Sequence, residues 1–104
     1  MSVEYKPGVK ITGMQVETLA ALVTADGVYS RMGVPKLVVT SVTDGSHGPH
    51  SRHRVGLAAD LRTFNIDESI SHRDVVRELK SALGDDFDVV LESDHIHIEF
   101  DPAS

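Results

Sequence analysis

Cysteine and tryptophan are both absent from the 104 residues. Without cysteine there is no disulfide scaffold, no thiolate zinc site and no thiol nucleophile, which leaves metal chemistry to histidine and carboxylate ligands. Basic residues are few. Ten Lys and Arg stand against sixteen Asp and Glu, a formal net charge of -6, which argues against attraction to nucleic acid or to an anionic membrane surface. No apolar run approaches the roughly 20 residues that span a bilayer, so no membrane insertion is expected. The chain is 40% hydrophobic and 25% charged, the composition of a folded globular protein, and its length suits a single domain over residues 1–104. A domain this small buries a limited share of its surface, so a bound metal would contribute to stability as well as to chemistry.

The first 12 residues contain Pro7 and Gly8 and read as an irregular arm. From Met14 the apolar positions Val16, Leu19, Leu22 and Val23 recur at helical spacing, which predicts an amphipathic helix running toward Met32 with a weak point at Gly27. Gly33 and Pro35 stop it. Leu37–Thr40 is a short β-branched run, the pattern of a buried strand. The segment from Asp44 to His53 is dominated by turn formers and reads as a surface loop. Leu57–Leu61 is a second strand candidate. Ser71 is placed to cap a helix with Val75, Val76, Leu79 and Leu83 facing inward and Gly84 at its end. Phe87–Glu92 and His95–Phe100 form a hairpin across Ser93 and Asp94. The expected fold is α+β, with two main helices packed on a small antiparallel sheet.

Five of the six histidines fall in two short segments. The first holds His47, His50 and His53, with Asp60 seven residues after His53. The second is Asp94-His-Ile-His-Ile-Glu99, where strand alternation sends His95, His97 and Glu99 to one face. Two imidazoles and one carboxylate with an open fourth position form a catalytic zinc ligand set. A solvated strand face would carry the same alternation, so the pairing of the two segments matters more than either alone.

The run Ser51-Arg-His53-Arg-Val-Gly56-Leu-Ala58-Ala-Asp60, followed by His95-Ile-His97, resembles the Ser-x-His-x-x-Gly-x-Ala-x-Asp and terminal His signature of zinc peptidases of the D-alanyl-D-alanine carboxypeptidase and L-alanyl-D-glutamate endopeptidase family. That superfamily includes lysostaphin-type enzymes and the hedgehog signalling domain, and the segment in particular resembles its small phage-encoded members. The likeness runs from about Leu37 to Phe100. It implies a hedgehog-like fold and one Zn2+ per chain, held by His53, Asp60 and His97. Ser51 would orient His53 or Asp60 from behind, His47 would bind substrate or polarise a carbonyl, and His95 would line the cleft. Gly56 and Ala58 would let the chain pass close to the metal.

Two departures from the family stand out. Dipeptidase-type members place a Glu three residues before the last ligand, where this chain has Asp94; hedgehog-type members place it just before the hairpin turn, where this chain has Glu92. A two-residue turn sets Glu92 across from His95 and so on the face of His97, which favours Glu92 as general base over Asp94. The second departure is an arginine. Many members carry one before the first motif to hold the substrate carboxylate, and from Val38 to Ser51 there is none. Arg52, Arg54 and Arg62 lie nearby outside that slot, and His47 or His50 would take its place. The resemblance implies hydrolysis of peptidoglycan stem peptides, as D-Ala-D-Ala carboxypeptidase or L-Ala-D-Glu endopeptidase, during wall lysis by a phage. The alternative is a zinc-binding interaction or virion module without turnover. The N-terminus lacks the basic-then-apolar order of a secretory signal, so the expected location is the producing host's cytoplasm before release, or the virion.

Overall fold

The computed structural model describes residues 2–44 and 51–102. Five strands and two main helices follow in the order β1 (Ser2–Tyr5), α1 (Val16–Arg31), β2 (Lys36–Ser41), a 3-10 helix (Arg52–Val55), β3 (Ala58–Arg62), α2 (His72–Leu83), β4 (Phe87–Leu91) and β5 (His95–Phe100). The strands form one sheet in the order β1-β2-β3-β5-β4. The α+β class is as expected, but the sheet is mixed. Residues expected to be an irregular arm instead supply β1, which pairs parallel to β2. The reason is the connection: α1 crosses over between the two strands, and a helical crossover returns the chain in the same direction. The other pairings are antiparallel.

Helix α1 lies where expected, with a different inner face. Val16, Leu19 and Val23 are 70%, 47% and 65% exposed, whereas Thr18, Ala21, Leu22, Ala25, Val28 and Tyr29 are buried. Small residues on the inner side permit close approach to the sheet, and buried Thr18 is satisfied because its Oγ1–H donates to the Gly56 carbonyl at 2.6 Å. The helix ends in a Schellman motif: Gly33 has φ 81°, its N–H donates to Ser30, and Val34 N–H donates to Tyr29 at 2.8 Å. Helix α2 matches its sequence pattern. The Ser71 side chain accepts from Asp74 N–H, Gly84 follows the last turn, and Val75 and Leu79 are buried.

Sheet alternation separates a core face from an open face. Leu37, Val39, Ala59, Leu61, Val89, Ile96 and Ile98 join residues of both helices in one apolar core. Asp60, Arg62, His95, His97 and Glu99 occupy the other face of β3 and β5, all half-buried. No described helix is long and apolar enough to cross a membrane.

Gly56 joins the two halves of the fold. It has φ 74° as the cap of the 3-10 helix, and a Cβ there would lie 2.0 Å from the Gly13 carbonyl oxygen. The small residue in the motif serves a left-handed turn packed against the chain before α1. Gly56→Ala should destabilise the protein by about 2 kcal/mol or more. Chemical denaturation checks this, and a loss below that range would mean that the Gly13 segment yields easily.

Candidate metal centre

Three elements each deliver one side chain to a common point. The 3-10 helix supplies His53, which is 3% exposed. Its position is fixed at both ends: the Ser51 hydroxyl accepts from His53 N–H at 3.2 Å, and Gly56 turns the chain back so that Leu57 N–H reaches the Arg52 carbonyl. The exit is tied to β5, because Phe100 N–H donates to Leu57 and Arg52 pairs with Asp101 at 2.9 Å. Strand β3 supplies Asp60, whose Cα partner on β5 is His97. The His53 and His97 rings lie 5.1 Å apart, centroid to centroid.

Ring orientation follows from hydrogen bonds. His53 Nδ1 lies 2.7 Å from the Val42 carbonyl. A carbonyl can only accept, so Nδ1 carries the proton and Nε2 is directed to Asp60 Oδ1 at 3.2 Å. Val42 follows directly on β2, whose register shifts between Val39 and Ser41 and sets Ser41 opposite Asp60. His97 Nδ1 contacts the same Asp60 oxygen at 2.9 Å, and His97 Nε2 contacts Glu99 Oε1 at 2.7 Å. His95 Nε2 stands farther from Asp60, at 3.7 Å.

Burial alone would raise the Asp60 carboxyl; the hydrogen bonds from His53 and His97, with the charges of His53 and His95, outweigh it and hold the group well below its ordinary value. His97 is raised from 6.5 to about 9, first by its hydrogen bond to Asp60, against the opposing effect of burial and with help from Glu99. This direction gives a sign for the metal-free protein. Charged His97 contributes stability in full below about 6.5 and loses it as pH rises through about 9. The Tm of metal-stripped protein should therefore fall by about 5 °C or more across that window. A flat profile in thermal scans would show that the imidazolium is not held by its two carboxylates. Asp60 acts at the other end of the scale: its contribution is lost as pH falls through its depressed value.

The chemistry of this donor set suits a divalent metal. His53, Asp60 and His97 offer ligand atoms that all lie within 4.8 Å of one another, and two imidazole nitrogens with one carboxylate oxygen are a borderline-soft combination. These are the three residues that the sequence resemblance implied as ligands. The strand-only set of His95, His97 and Glu99 does not converge in this way: Glu99 takes the far nitrogen of His97, and His95 Nδ1–H donates to Asp94 Oδ1 at 2.7 Å. Ser51 acts on His53 through the backbone.

Glu92 closes the hairpin as its spacing predicted, its N–H donating to the His95 carbonyl at 2.8 Å, and Val90 opposite His97 confirms that Glu92 belongs to the open face. Its side chain is exposed. Among the described residues, no hydrogen bond or ion pair joins Glu92 or Asp94 to His53, Asp60 or His97. His47 and His50 lie outside the described residues. Of the three nearby arginines, Arg52 is engaged by Asp101, while Arg62 sits opposite His95 on the open face with its guanidinium 4.4 Å from the centroid of the Phe64 ring.

Two features of the site had no clear signature in the sequence. The Val42 carbonyl that orients His53 is backbone, which no residue type announces. The Glu99 contact was visible only as a shared strand face. Comparison of the chain with family models, curated proteins and solved structures finds no match.

Proposed function

We propose that the chain is a zinc-dependent peptidase acting on the stem peptides of bacterial peptidoglycan, with hedgehog-like topology and a role in wall lysis by a phage. The observation that carries this reading is the convergence of His53 Nε2, Asp60 Oδ1 and His97 Nδ1 from three separate elements, in the order and spacing of the motif that the sequence resembles. Zinc at this point would act as a Lewis acid on the scissile carbonyl and make water nucleophilic near neutral pH.

The protein's own groups do the rest. His53 is locked by Val42 and is a rigid donor; Asp60 is kept ionised by its imidazole neighbours. The carboxylate of Glu92, on the open face across from His95, takes the proton of the attacking water and delivers it to the leaving amine. Asp94 is the rival for that task, but it is already engaged by His95. His95 lines the substrate side of the face, and the sequence resemblance gives His47 the task of binding substrate or polarising its carbonyl, with His47 or His50 in place of the family's arginine. Arg62 on the same face is a cation placed where a peptide carboxylate would meet it.

The test is digestion of purified peptidoglycan by zinc-loaded protein with mass analysis of the fragments. Release of D-alanine, or scission between L-Ala and D-Glu, supports the reading and tells the two peptidase types apart. Full zinc occupancy with no cleavage of walls or soluble stem peptides would transfer the assignment to a metal-binding module without turnover.

A further inference from the structure

We propose that Glu99 is the positioning residue for His97, holding its Nε2–H so that Nδ1 is the nitrogen presented to the metal. This rests on reading His53, Asp60 and His97 as a metal centre. The two imidazoles are secured in different ways. His53 is held by a backbone carbonyl, which no substitution removes. His97 has no such backbone contact among its hydrogen bonds to described residues; its far nitrogen meets Glu99 Oε1 at 2.7 Å.

The contact follows from the strand. Residues two apart on β5 share a face, and the partner of Glu99 on β3 is Ala58, which is small and buried. Both side chains of the pair are mostly shielded, 20% and 24% exposed, so the bond competes little with water. An imidazole with a free second N–H could swing or present the wrong nitrogen. A carboxylate on Nε2 selects the tautomer in which Nδ1 holds the lone pair, and it increases the basicity of that nitrogen.

The test measures zinc affinity by competition with a chromophoric chelator, together with the His97 ring-nitrogen NMR shifts of the loaded protein. Glu99→Ala should weaken zinc binding by about 10- to 100-fold, while far-ultraviolet circular dichroism stays native. Glu99→Gln keeps an oxygen acceptor and should fall between wild type and Glu99→Ala, with the same Nε2–H tautomer as wild type. Asp88→Asn is the charge control. Its carboxylate lies within 4.8 Å of Glu99's and has no bond to His97, so affinity should hold within about threefold.

Equal weakening in all three variants would show that net charge alone matters, and unchanged affinity in Glu99→Ala would overturn the assignment outright. Wild-type protein that binds no zinc would defeat the metal reading itself, and the positioning role with it. Should Glu99→Ala fail to fold, Glu99→Gln and the ring shifts decide.

Discussion

Protein purified without added metal should contain close to one equivalent of zinc, and the His53→Ala, His97→Ala double variant should contain almost none. The two residues supply two of the three converging ligand atoms, and one remaining carboxylate cannot hold zinc against a chelator. The same loss should be visible as stability. His53, Asp60 and His97 come from segments that the unfolded chain does not bring together, so a metal held by them would bind only the native form and stabilise it by linkage. With free metal about a thousandfold above its dissociation constant, the gain is about 4 kcal/mol, or about 15 °C or more in Tm for a domain of this size. Elemental analysis and thermal scans before and after chelation check both parts. Because His53 is buried and donates to Val42, its removal also disturbs packing, so the His97→Ala single variant, at a less deeply buried residue, separates metal loss from misfolding. Stoichiometric zinc retained by the double variant would refute the ligand assignment.

Glu92→Gln should lower hydrolysis by about 100-fold or more while zinc content stays near wild type. The amide keeps the shape and hydrogen-bonding capacity of the carboxylate and loses only its basicity. Asp94→Asn should act far more weakly, mainly through its bond to His95. The geometry behind this expectation is the hairpin. Glu92 and His95 close the turn, Val90 pairs with His97, and so Glu92 lies on the sheet face that carries His97. Its carboxylate is exposed, so on the proposed reading it would reach inward to act on bound substrate. The deciding measurement is kcat for each variant on intact walls and on soluble fragments. An inactive Asp94→Asn protein beside an active Glu92→Gln one would reverse the two roles, and the shorter carboxylate would be the base.

Much of the architecture is local and was therefore legible. The limits of α2 follow from Ser71, Gly84 and the spacing of Val75 and Leu79, and those of the hairpin from alternation plus a turn two residues long. Each is decided by contacts between residues a few positions apart. Alternation alone also put His95, His97 and Glu99 on one face. Along α1 the sequence pattern misled because small side chains are buried there. The apolar stripe of Val16, Leu19 and Val23 is exposed, and the inner face of α1 instead buries Thr18, Ala21 and Ala25 beside Leu22, Val28 and Tyr29.

The amino-acid sequence by itself determined which side chains carry chemistry, the end of each helix, and the parity of β5, since helix caps and strand alternation operate within a turn or two of the chain. Tertiary structure decided what those side chains do to one another. Only the pairing of β3 with β5 brings Asp60 to His97 across 37 residues, only the folded chain sets the Val42 carbonyl against His53, 11 residues away, and only the α1 crossover makes a parallel strand of the N-terminal arm. These arrangements depend on which surfaces the whole chain can bury together, a free energy shared among distant residues that no local pattern records.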